Sequence, residues 1–146
     1  MASTATSDSY VPFTAESDVS LFRLYVLRAT YLLLVVGIGA MILPPLISHG
    51  PAARGVIPSL IGAVGLLAIL GVRYPLRMLP LLFFEFAWKM IWLLDFGWPQ
   101  WSTGQMPPTF GEDIVNIGFG VILMPLVIPW GFVRRQYMTA NADRWR

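Results

Sequence analysis

The sequence predicts an all-α fold: a polytopic membrane protein built as a four-transmembrane-helix bundle. Three observations carry that expectation. The 146-residue chain is 56% hydrophobic and only 12% charged, where a soluble domain carries roughly 25% charged residues. Its apolar residues fall in four blocks, each near the roughly 17–25 residues a helix needs to cross a bilayer. Its arginines flank those blocks in small groups and form no basic stripe. The net charge of +2 and the pI near 9.3 therefore do not point to nucleic acid. A bilayer core offers no hydrogen-bond partners, so the spans must satisfy their own backbones as helices.

The elements follow in order. Residues 1–20 are polar and carry no Lys or Arg, unlike a secretory signal with its basic start. They read as a cytosolic tail with a short interfacial piece near Tyr10 to Phe13. The transmembrane domain covers 21–135, and 136–146 form a second cytosolic tail. The first span, about 24–47, is expected to stop at Pro44-Pro45 and His49-Gly50-Pro51. Arg23 and Arg28 lie on its first turns, where long side chains snorkel to headgroups. The second span, about 55–72, has Pro58 in its first turn, where a missing N–H is harmless. The third, about 76–98, has Pro80 in the same role. The fourth, about 111–133, opens on Thr109-Phe-Gly-Glu112, which matches a capping box, with Glu112 and Asp113 at the positive helix end. Pro125 and Pro129 should kink it and free carbonyls.

Arginine placement sets the expected orientation. Arg23, Arg28, Arg73, Arg77, Arg134, Arg135, Arg144 and Arg146 fall on one side of a four-span layout, and Arg54 on the other. Basic residues mark the cytosolic side, so both termini are expected there. Trp98, Trp101 and Trp130 sit near the expected interfaces, as belt residues do.

The third span carries the chemistry. Glu85 and Lys89 stand one helical turn apart within an apolar run from Met78 to Trp98. Insertion scales put such charges at about 2.5–3.5 kcal/mol each at the bilayer centre. On a helical wheel Glu85, Lys89, Trp92 and Phe96 share a face, with Trp88 close by and Asp95 at its edge. Phe83, Phe86, Ala87, Met90 and Leu94 lie opposite and are expected to meet lipid. Glu before Lys is the favourable order for a helical pair. The intramembrane charged candidates are thus Glu85, Lys89 and Asp95, and the lining candidates are Trp88, Trp92 and Asn116. A neutralised structural pair explains Glu85 and Lys89 better than a titratable transport site, because the carboxylate brings its own cation.

Other features read as packing. Gly62, Gly65, Ala68 and Gly71 recur every three residues and suit a close hairpin with the first span, which holds Gly37 and Gly39. Asn116, Gly118 and Gly120 suit the same role on the fourth. His49 is the single histidine and there is no cysteine. No metal-ligand spacing, haem pair or disulfide framework is therefore present, and no metal or cofactor is expected. Nor is there a phosphate-binding glycine loop or nucleophile elbow.

Arg73-Tyr-Pro-Leu-Arg-Met-Leu-Pro80, Phe84-Glu-Phe-Ala-Trp-Lys89 and Trp92-Leu-Leu94 together resemble uncharacterised small four-helix bacterial inner-membrane proteins. The resemblance spans about one fifth of the chain and implies a bacterial inner membrane, but no activity. Three function classes remain in view. The leading one is a non-enzymatic accessory or scaffold subunit that packs in the lipid bilayer against a protein partner or a second copy of itself. A small transporter or channel component using Glu85 and Lys89 is the alternative. A lipid- or quinone-binding membrane enzyme is the third. A dry surround at Glu85 favours the scaffold, an open polar cavity favours transport, and a lateral slot beside Trp88 and Trp92 favours a lipid or quinone site.

Overall fold

The computed structural model describes residues 19–48 and 55–139. The tail residues 1–18 and 140–146, with Tyr10 to Phe13, Arg144 and Arg146, lie outside the described residues. So does the loop holding His49 and Arg54. Every element among the described residues is helical. They are α1 (Leu21–Ser48), α2 (Val56–Arg73), α3 (Leu79–Trp92), α4 (Trp98–Thr103), α5 (Phe110–Val127) and α6 (Trp130–Val133). Two π-helical stretches, Leu93–Gly97 and Arg134–Thr139, follow α3 and α6. Three helices, α1, α2 and α5, are long and apolar enough to cross a membrane by length and composition.

The third expected span departs from expectation. It starts later than residue 76, because Pro75 drives Tyr74 out of the helical region (φ −124°, ψ 65°) and residues 74–78 form a turn. Its α-helical part is only 14 residues, about 21 Å at 1.5 Å per residue, against a hydrocarbon core of about 30 Å. The helix then widens. The N–H of Trp98 bonds to the carbonyl of Leu93, five residues back. Two local causes favour the wider turn. Pro99 has no N–H to give to Asp95, and the Trp92 ring lies over Gly97, where a Cβ would come within 2.8 Å of it. The chain nevertheless stays helical from Leu79 to Thr103, and Gly104 ends it in the left-handed conformation (φ 72°).

Three further expectations are corrected. Pro44 and Pro45 lie inside α1, which runs on to Ser48. The Ser48 hydroxyl donates to the Pro44 carbonyl at 2.7 Å, so that last turn keeps a bond despite the prolines. The capping box does not form. Thr109 is already helical (φ −81°, ψ −8°), which turns its hydroxyl away from the N–H groups it would cap. The fourth span ends at Val127, short of residue 133. Pro129 forces Ile128 to extend (ψ 124°) and leaves the Pro125 carbonyl without its helical donor. The Trp130 indole N–H fills that vacancy at 2.8 Å.

Two helix pairs make the bundle: α1 against α2, and α3 against α5. The α1–α2 seam uses the glycines of α2 as holes and bulky residues of α1 as knobs. A Cβ on Gly62 would touch Ile42 and Leu46, and one on Gly65 would stand 3.0 Å from Ile38. On Gly71 it would stand 2.2 Å from the Tyr31 ring. The α1 knobs Tyr31, Ile38, Ile42 and Leu46 share one helical face. Gly37 and Gly39 are not part of the seam, since no α2 atom lies within 4 Å of where their Cβ atoms would be. Tyr31 is fully buried, and its hydroxyl donates to the Pro75 carbonyl at 3.2 Å. That bond ties α1 to the turn between α2 and α3.

Candidate functional site

On α3 the buried positions Leu82, Glu85 and Lys89 form one stripe. The buried positions of α5 are Ile117, Gly120, Met124 and Val127, again one stripe at helical spacing. These two elements pack together, and the charge pair sits at their junction. Glu85 retains 4% of its exposure and Lys89 8%. The Lys89 ammonium donates to the Glu85 carboxylate. It also lies 4.1 Å from the centroid of the Trp88 ring, whose electron-rich face attracts a cation.

The opposite wall is Gly120. A Cβ there would stand 2.5 Å from Cε and 2.6 Å from Cδ of Lys89. The bare backbone of α5 therefore makes the room in which the lysine stem lies. Sequence reasoning placed Gly120 as a packing residue and missed this partner. Nothing in the sequence pairs position 120 with position 89, because helix register across two separate elements is a tertiary property.

The remaining candidates separate. Trp92 is half-buried. It covers Gly97 and meets the Phe110 ring at 6.4 Å between centroids, so it braces the π-helical stretch against α5. Trp88 is partly exposed beneath the ammonium. Asp95 and Asn116 are exposed. Asp95 lies on the π-helical stretch, where the extra residue per turn rotates it off the buried stripe of α3. Asn116 stands beside buried Ile117 but on the outer side of α5. Phe83 is half-buried rather than outward-facing. Its ring meets Trp130 at 6.4 Å and Tyr137 edge-on at 6.1 Å. The break in the helix at Ile128–Pro129 separates those partners from α5.

Two clefts lie away from the pair. One, about 260 Å³, opens between the start of α1 (Val19, Ser20, Arg23) and the α5–α6 corner (Pro129, Gly131, Arg135). The other, about 350 Å³ and almost wholly apolar, is bounded by Leu93, Gly97, Trp98, Trp101, Phe110 and Ile114. Neither is lined by Glu85 or Lys89. Among the described residues no group of three or more His, Asp or Glu side chains is placed to hold a metal ion.

No protein-family model, curated protein or solved structure matches the chain.

Proposed function

We propose that this chain is a non-enzymatic integral membrane protein, an accessory or scaffold subunit that packs through its helix bundle. The observation that carries the membrane part is the apolar exterior. In the most apolar windows of α1, α2 and α5 only 22%, 17% and 22% of the residues are buried within the chain. Side chains such as Phe22, Val36, Ile57, Leu66, Val115 and Ile122 face outward. In water this surface would aggregate; in lipid it is at rest. The aromatic–arginine groups support the same reading. Arg73 and Arg77 bracket the Tyr74 ring at 5.5 and 5.9 Å, and Arg28 lies over Tyr25 at 5.9 Å. At the other end Trp98 and Trp101 stand together, 5.4 Å apart. These are the belts of a membrane-spanning unit.

On this reading Leu79–Thr103 supplies the fourth crossing, as a continuous helical run with a widened turn. Both termini are cytosolic, and the membrane is a bacterial inner membrane. The scaffold role is supported by the closure of the charge pair. Glu85 and Lys89 neutralise each other, the stem fills the notch at Gly120, and neither cleft reaches them. A transport site needs a water-reachable charge, whereas this arrangement welds α3 to α5.

The test is reconstitution into proteoliposomes alongside purification in mild detergent. The scaffold reading expects no proton or ion flux above empty vesicles and a stoichiometric partner, either a second copy or another subunit, retained on the column. Flux that disappears in the Glu85→Gln/Lys89→Met double variant would replace it with the transporter reading.

A further inference from the structure

Helix packing answers the polar side chains of the apolar helices unequally. On α1 the Thr30 hydroxyl donates to the Val26 carbonyl at 2.9 Å and the Tyr31 hydroxyl to the Pro75 carbonyl, and on α3 Lys89 has Glu85. Asn116 of α5 is exposed and makes no side-chain hydrogen bond among the described residues. It stands six residues from the start of α5 and eleven from its end, about 9 Å and about 16 Å along the axis. Its short side chain cannot snorkel over that distance as Lys or Arg would. An amide carries two N–H donors and a carbonyl acceptor, and hydrocarbon answers neither. Phe119, on the next turn, is exposed beside it. Glu112, one turn nearer the start of α5, is exposed where water and salt screen its charge.

We propose that α5 is the contact between two copies of this chain, paired through Asn116. The proposal names the partner within the scaffold reading above and rests on that reading, because only a bilayer makes the exposed amide costly. Two copies inserted under the same arginine asymmetry carry their α5 helices parallel, with Asn116 at one depth. About a two-fold axis along the membrane normal the contact is isologous, so each amide donates to the carbonyl of the other. A different protein would need a polar group of its own at that depth, whereas a second copy brings one by construction. Side-chain amides join membrane helices in this way.

The test uses the full chain in phosphatidylcholine vesicles, with energy transfer between labelled copies as readout. The chain has no cysteine, so Ser102→Cys, an exposed position on α4, takes one dye per copy. Transfer should rise with the protein-to-lipid ratio to the level of a dimer. Asn116→Leu should raise the dissociation constant about tenfold, and Asn116→Gln, which keeps the amide, by no more than about threefold. Ile122→Ala, on another exposed side of α5, should match the wild type. A wild type that stays monomeric, or an Asn116→Leu variant that associates as tightly as the wild type, would overturn the contact. Either result leaves the scaffold reading standing, since that reading admits another subunit as partner. A lower melting midpoint for Asn116→Leu at dilutions where the wild type is monomeric would put the amide's partner inside its own chain, and the proposal falls. If Asn116→Leu does not fold, copper-catalysed disulfide formation in an otherwise wild-type chain decides. Phe119→Cys should give cross-linked dimers and Leu66→Cys, on the exposed side of α2, should not. Equal yields at the two positions would overturn the α5 contact. Release of the protein by alkaline carbonate would refute the membrane reading itself, independently of the association data.

Discussion

Lys89 is held by three neighbours of different kinds: the Glu85 carboxylate, the Trp88 ring and the bare backbone of Gly120. Removing one charge strands the other in a buried site, which costs about 3–5 kcal/mol in soluble proteins. Glu85→Gln and Lys89→Met should therefore each lower folded yield in detergent, and the double variant should recover part of it. Single variants as stable as the wild type would show that the pair is solvated. Gly120→Ala should destabilise too, because the new methyl meets the lysine stem, and Lys89→Met should relieve that effect through its more compliant chain. A double-mutant cycle measures the coupling. The two glycines of the first hairpin make a sharper contrast. Gly71→Ala drives a methyl into the buried Tyr31 ring and should cost about 1–3 kcal/mol. Gly37→Ala meets open space and should be neutral or raise stability by about 0.5–1 kcal/mol, the usual helical preference for Ala over Gly. Equal effects at 37 and 71 would mean that the seam is wrongly placed.

At the scale of elements, proline position decides where helices end, but not in a way the sequence alone could fix. Pro129 ends α5 and Pro44-Pro45 do not end α1. The difference lies in what catches the freed carbonyl and in what the following residues can bury. After Pro129 a new helix begins, Phe132 and Val133 are buried, and Trp130 caps Pro125. Phe83 then becomes the receiving surface for Trp130 and Tyr137. Phe83→Leu should cost about 0.5–1.5 kcal/mol through the lost ring contacts, read as a lower melting midpoint. Val115→Leu on the exposed side of α5 should not move it. The glycine face of α2 and the Glu–Lys turn were legible because each is a local repeat. The partners of Phe83 and of Lys89 were not, because they depend on which helix returns beside α3 and in what register. The widened turn at Leu93–Gly97 was likewise hidden, since it needs Trp92 to fold over Gly97.

For the whole molecule, the Tyr31–Pro75 bond and the Arg23–Arg135 cleft draw the start of α1, the 74–78 turn and the α5–α6 corner to one end. The described arginines Arg23, Arg28, Arg73, Arg77, Arg134 and Arg135 sit on those segments. In the four-span proposal the charge asymmetry along the sequence puts these segments on the cytosolic side. Reporter fusions at Arg146, within 48–54 and within 99–113 should place the C-terminus in the cytosol and both loops outside. A periplasmic C-terminus would sink the four-span proposal, leaving the three long apolar helices to be arranged otherwise.

The buried phenol of Tyr31 has a consequence for how the chain is made. Its acceptor is the carbonyl of Pro75, which leaves the ribosome 44 residues later. Until then α1 carries a hydroxyl that its own helix does not satisfy and a bulky ring with no Gly71 beneath it. The first helix is therefore an unfinished object when synthesised alone, and its settled position waits on the whole of α2 and the turn behind it. Nascent chains arrested with Pro75 exposed should protect α1 from protease, whereas chains arrested before Gly71 should not. In Tyr31→Phe the step in protection should move to the arrival of Gly71, the point at which only the ring still needs a seat.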